Sequence, residues 1–287
     1  MRRNWNIAAV GALAVALIFA TVSRADDKPA AKPIRVLLVC GGCCHDYAHQ
    51  KDILAKGLAE RANVEVTIAF YEIKENKGKE KLNPVYEKAD WAKDFDVVIH
   101  DECDASVNDL AAVANVLKPH KDGLPGLVLH CGMHSYRTKG WDNKSAPPTP
   151  WFEFTGLPTI RHGAQLPIAI TFTDKQSPIT RGMDDWTTIK EELYNNNIGK
   201  LLDTAQPLAR GKQVSKAKDG TEKTEDYVVA WTNTYNGKAK VFATTIGHNN
   251  ETVADPRYLD LVTRGLLWTT GHLTEDGKPA AGYEAKK

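Results

Sequence analysis

Two short apolar runs stop abruptly at glycine and histidine: Gly126-Leu-Val-Leu-His-Cys-Gly-Met-His134 and Lys240-Val-Phe-Ala-Thr-Thr-Ile-Gly-His248. In an open α/β sheet, ligands bind in the groove beyond the carboxyl ends of the strands. An imidazole placed there can act as base, acid or metal ligand near neutral pH. His45 follows a third apolar run, Ile34 to Cys40, and His162 and Glu192 lie farther along the chain. The expected catalytic set is His130, His248, His134 and Glu192. Neutral imidazoles with one carboxylate suit zinc or another divalent transition metal, so His45, His130, His134 and His248 are the candidate ligands. Such an ion would polarise a carbonyl. Without it, His130 and His248 could serve as base and acid. No HxH or HExxH spacing marks the ligands, and both readings stay open. His100 and Asp101 also end an apolar run and rank second, while His49, His120 and His272 fit structural or solvated roles.

These side chains need strands to carry them. Ile34 to Cys40 is almost continuously apolar, as expected for a strand buried on both faces. His49 to Arg61 places Ile53, Leu54 and Leu58 at helical spacing, and Val64 to Tyr71 reads as a second strand. A lysine-rich loop from Lys74 to Lys81 then precedes a third strand, Phe95 to Asp101. Ser106 to Lys118 reads as a helix and Leu127 to His130 as the fourth strand. This order predicts a parallel sheet with right-handed crossovers.

After His134 the pattern loosens. Trp141 to Gly156 is a long loop with a short helix at Pro150 to Phe154, and loops of this length are often lids. Leu166 to Phe172 alternates like a half-exposed strand, and Gln213 to Asp226 reads as a charged hairpin tip. Tyr227 to Trp231 and Lys240 to Ile246 are expected to pair around the Asn236-Gly237 turn. Pro256 to His272 closes the pattern as a helix with proline at its start.

Arg2 and Arg3, an apolar run from Ile7 to Ala20 and the small residues of Ser23-Arg-Ala25 match a secretory signal peptide. Residues 1–25 are thus the expected signal, 26–33 a flexible leader and 275–287 a tail, with secretion or periplasmic export implied. The formal net charge is +1, and losing Arg2, Arg3 and Arg24 leaves the rest slightly acidic. That balance excludes a basic nucleic-acid or membrane-binding stripe and favours a neutral, polar small molecule. Oligomeric state is not encoded in these patterns. Five cysteines do not resemble a disulfide framework. Cys40, Cys43 and Cys44 read best as small residues packed at the ligand end of the sheet, with one disulfide left open.

His130-Cys131-Gly132-Met133 resembles the nucleophile turn of class I glutamine amidotransferases. Aligned on Gly132, however, His130 takes the nucleophile position and Cys131 falls one place late. His248-Asn-Asn-Glu251 stands where that family has His-Pro-Glu, so the frame survives without the Cys-His pair. Tyr227-Val-Val-Ala-Trp-Thr-Asn-Thr-Tyr235, Gly237 to His248, Leu266-Leu-Trp268, Trp151-Phe-x-Phe-x-Gly156 and His162 resemble the ThuA-like, trehalose-utilisation family. The resemblance runs from about Ile34 to Gly271 and implies a ThuA-like domain over 34–274. It further implies an α/β, class I glutamine amidotransferase-like (flavodoxin-like) three-layer fold with a mostly parallel central sheet. The implied substrate is a saccharide, in particular a trehalose-type or 3-keto-glycoside, with no nucleotide cofactor. His45, Asp46, Arg137, Trp151, His162, Tyr194 and Trp231 are then the expected substrate-binding residues, with Trp141 and Trp151 as lid candidates. A non-catalytic saccharide-binding protein and a Cys131-dependent hydrolase remain the alternatives.

Overall fold

A computed structural model describes Met1 and residues 31–72, 81–195, 200–217 and 219–286. All but Met1 of the expected signal, most of the expected leader and all but Lys81 of the lysine-rich loop lie outside the described residues. The first half of the chain follows the expected alternation. β1 (Ile34–Gly42), β2 (Val64–Glu72), β3 (Val97–Cys103) and β4 (Gly126–Leu129) are separated by α1 (Tyr47–Ala59) and α2 (Leu110–Lys121). β3 runs on beyond Asp101 because Gly41 and Gly42 still pair with Glu102 and Cys103. α2 starts later than the apolar spacing suggests, since the Asp109 carboxylate accepts from Ala112 N and caps it.

The second half contains α3 (Pro150–Thr155), β5 (Arg161–Phe172), β6 (Trp186–Asn195), β7 (Ala205–Lys216), β8 (Glu222–Tyr235) and β9 (Ala239–Thr244). α4 (Asn250–Val253) and α5 (Pro256–Thr269) follow. All nine strands form one sheet in the order β2-β1-β3-β4-β9-β8-β7-β5-β6. The pairs from β2 to β9 are parallel, whereas those from β9 to β6 are antiparallel. The expectation of a mostly parallel sheet therefore holds for one half only. Among the described residues no helix lies between β5 and β9, and β5/β6, β7/β8 and β8/β9 are antiparallel neighbours in sequence and in the sheet. The supposed hairpin tip is mostly strand, because pairing continues from Gln213↔Glu225 to Lys216↔Glu222.

Alternation along β1 divides the core. Val36, Leu38 and Cys40 pack with α1 and α5 on one face, while Leu37 and Val39 pack with α2 and α3 on the other. Burial on both faces explains why β1 carries no polar stripe. The tail returns to the sheet edge: Asn63 N donates to Tyr283 O at 2.9 Å, and Ala62 bridges Glu284. Among the described residues, no helix is long and apolar enough to cross a membrane.

Candidate active site

The carboxyl ends of β1, β3, β4 and β9 open on one cavity of about 610 Å³, walled on its far side by β5 and β6. His45 enters from the loop after β1, His134 from the 3₁₀ turn after β4 and His248 from the loop after β9, while His130, on the same turn as His134, is buried behind the wall against the His45 and His248 rings. His130 has a positive φ of 40°, so the chain turns sharply at the strand end, and its ring packs against His45, Tyr194 and His248. Glu192 and Tyr194 come from the antiparallel half. The site thus forms where the two halves of the sheet face each other.

Glu192 is the hub. Its Oε2 lies 3.5 Å from His130 Nε2 and 3.3 Å from His248 Nδ1, and its Oε1 lies 3.5 Å from His162 Nδ1. Burial pushes its carboxyl up, but hydrogen bonding with His130 and His248 and the nearby histidine charges outweigh this and hold it below the carboxylate range. Contact with Glu192 conversely raises the His248 pKa against the effect of burial. His45 goes the other way: burial, then His130 and His248, lower its pKa to about 2. It is therefore a neutral imidazole at physiological pH.

Hydrogen bonds set the tautomers. His130 Nδ1 lies 2.7 Å from Thr245 O, and a carbonyl only accepts, so Nδ1 carries hydrogen. Nε2 is left toward Glu192 and the Tyr194 hydroxyl, the latter at 3.3 Å, and is the atom that can exchange a proton or bind a metal. Burial holds the Tyr194 phenol well above its usual range, which keeps it a donor. His248 is clamped through its backbone: Glu191 accepts from His248 N at 3.1 Å, and Gln50 Nε2 donates to His248 O at 2.9 Å. Gln165 Nε2 lies 2.8 Å from His248 Nε2.

The nitrogens of His45, His130 and His248 lie within 4.8 Å of one another. His45 Nδ1 and His248 Nδ1 are buried without an aligned hydrogen-bond partner. Imidazole nitrogens this close together, beside the Glu192 carboxylate, fit a divalent ion held at about 2.1 Å. His134 does not join them. Its ring stacks on Tyr194 at 4.1 Å and its Nε2 faces the Thr159 hydroxyl, so it lines the cavity but leaves the ligand set. Burial, then Arg137, His130 and His162, hold its pKa well down.

Of the expected saccharide contacts, Arg137, His162, Tyr194 and His45 line the cavity. Three expectations are corrected. Trp151 is fully buried and donates to Gly132 O, and Trp231, also fully buried, donates to Thr155 O. Both indoles brace α3 from within the core. Asp46 is exposed and turned outward to His49 and Asn250. No residue from 141 to 156 lines the cavity, so that loop is no lid in this conformation; Trp141 lies under the Arg137 guanidinium at 4.3 Å. Sequence reasoning missed Glu191, Gln165 and Thr245, which orient the histidines. A carboxylate doublet at Glu191-Glu192 inside a strand was the available signal for the first.

The cysteine reading is corrected as well. Cys43 is bonded to Cys44 and Cys103 to Cys131, leaving Cys40 as a buried free thiol. Cys131 therefore offers no free nucleophile in this state.

The family model for ThuA, described as trehalose utilisation, matches residues 35–269. The chain belongs to the ThuA family. A ThuA-like protein from Parabacteroides merdae shares its fold at a TM-score of 0.61 with 15% identity, covering 89% of this chain and 98% of that one. One from Bacteroides uniformis gives 0.57 with 17% identity, covering 88% and 98%. A glutamine amidotransferase from Thermotoga maritima gives 0.39 with 11% identity, covering 84% and 95%. No curated protein matches the sequence. At these identities the likeness to the two ThuA-like structures shows a shared fold and leaves the chemistry to the site itself.

Proposed function

We propose that this ThuA protein acts on a 3-keto-sugar or 3-keto-glycoside by histidine acid–base chemistry at the carbon beside the ketone. The observation that carries this reading is the Glu192 carboxylate held between His130 Nε2 and His248 Nδ1. A ketone at C3 acidifies the C2 proton. His130 Nε2, its other nitrogen locked on Thr245 O, takes that proton, and the electron pair forms the C1–C2 double bond. The C1–O bond breaks, and His248, whose pKa Glu192 raises, protonates the leaving oxygen. Addition of water to the enone would complete a net hydrolysis. Were a divalent ion, zinc by the nature of the donors, held instead by His45, His130 and His248, their nitrogens would be ligands rather than base and acid, and the ion would polarise the carbonyl oxygen. Arg137, which lines the cavity, would bind sugar oxygens, with Tyr194 in the wall beside it. We further propose export through the amino-terminal segment, which suits a scavenging role on saccharides.

Incubation of the purified protein with a 3-keto-disaccharide, with release of the leaving sugar followed by chromatography, tests this. His130→Ala and His248→Ala should each lower turnover by about 10² to 10⁴-fold in protein that circular dichroism shows to be folded. Equal turnover in both variants would sink the mechanism. Saccharide binding without turnover in the wild type would instead mark a binding protein.

A further inference from the structure

Four cysteines meet in one wall of the cavity, graded from solvent inward. Cys44 is exposed, Cys43 half-buried, and Cys103 and Cys131 are buried. Although the bonds pair Cys43 with Cys44 and Cys103 with Cys131, Cys43 Sγ lies only 3.6 Å from Cys103 Sγ. The backbone enforces this approach. Gly42 is in register with Cys103, and Cys43 N donates to Cys103 O at 3.3 Å. A Cβ at Gly42 would overlap that same carbonyl, so only glycine lets the turn come so close. Cys44 has a φ of 84°, in the left-handed region that favours glycine. On the inner side, a His45 nitrogen and the sulfurs of Cys103 and Cys131 lie within 4.8 Å of one another.

We propose that these sulfurs form a thiol–disulfide exchange relay, through which a dithiol reductant at the surface releases a free Cys131 thiol into the cavity wall beside His45. One thiolate of the dithiol attacks exposed Cys44, forming a mixed disulfide and expelling Cys43 as a thiolate. Cys43 then attacks the sulfur it already touches, Cys103. A Cys43–Cys103 bond forms, the Cys103–Cys131 bond breaks, and Cys131 leaves as a thiolate that takes up the proton lost by the dithiol. The second thiol of the reductant displaces Cys44. In net terms the dithiol is oxidised to its disulfide, Cys44 and Cys131 become thiols, and Cys43–Cys103 remains bonded. Thiolate attack of this kind is the general route of disulfide exchange. The relay adds a soft, nucleophilic group to the cavity and does not depend on the sugar chemistry proposed above.

Peptide mapping after alkylation of the oxidised, native full-length protein with N-ethylmaleimide tests it. Cys44→Ser leaves Cys43 unpaired from the start. Without any reductant, it should show a Cys43–Cys103 cross-linked peptide and at least about tenfold more label on Cys131 than the wild type. Label confined to Cys43, with Cys103–Cys131 intact, would overturn the relay. Cys44→Ser/Cys131→Ser should contain the Cys43–Cys103 bridge and no labelled cysteine; label on both Cys43 and Cys103 would overturn it too. Label on the buried free Cys40 is common to all variants and is not counted. Should either variant fail to fold, the wild type titrated with dithiothreitol serves instead. The same cross-linked peptide should appear before full reduction, and its absence at every dose, or four thiols holding a metal in the purified protein, counts against the relay.

Discussion

Replacing Glu192 with glutamine removes the charge that links the histidines while keeping the side chain's size. At the 3.3 Å and 3.5 Å separations from His248 and His130, an effective dielectric of about 20 gives roughly 5 kcal/mol of attraction for each fully charged pair. Desolvation of a carboxylate that is 5% exposed offsets much of this. The net expectation is a lower His248 pKa once the Glu192 charge that raises it is gone. Nitrogen-15 NMR titration of histidine rings in metal-stripped protein reads it directly. Stability supplies a second readout with a defined sign. The lowered Glu192 pKa stabilises the fold above its ordinary value of 4.5 and is lost as pH falls through the folded value. The raised His248 pKa stabilises it below 6.5 and is lost as pH rises through the folded value. Both contributions coexist between about pH 4.5 and 6.5, so the deficit of Glu192→Gln should peak there and shrink by pH 8. An unmoved or raised His248 midpoint, or a deficit independent of pH, would refute the reasoning.

Acid should destabilise the protein through its buried imidazoles. Burial and His100 lower the His120 pKa to about 3, so the unfolded chain takes up the proton first. The stability this group provides above pH 6.5 falls by about 2 kcal/mol at pH 5. His45 and His134 act in the same direction, whereas the raised Asp101 carboxyl opposes it; equal denaturant midpoints at pH 7 and pH 5 would contradict the balance. In α5, Gly265→Ala should cost about 1–3 kcal/mol, because its Cβ would press into the buried Phe242 ring, 2.6 Å from Cδ1. A lowered melting temperature checks it, and an unchanged one would mean that α5 can shift off the sheet.

The strand-end histidines were legible because a buried strand must be apolar and must stop where polar chemistry begins. His45, His130 and His248 follow that rule and converge. Trp151 and Trp231 misled, because an indole able to cover a sugar is equally able to fill a core, and composition does not distinguish the two. The long loop misled for a related reason: its aromatics found α2 and α3 to pack against instead of the cavity. Asp46 faces outward because the loop after β1 turns it toward Asn250, a partner more than two hundred residues away.

By itself the sequence determined the strand and helix alternation of the first half, the Asn236-Gly237 hairpin and the histidines at strand ends. These depend on local periodicity and on turn residues acting over a few positions. Only the tertiary structure decided that the sheet continues as an antiparallel half. The same holds for Glu192 as the hub from β6, for the departure of His134 from the ligand set and for the clustering of four cysteines in one wall. Each of those depends on strand order and register between segments far apart in the chain, and a shift of one residue would turn each of these side chains to the other face.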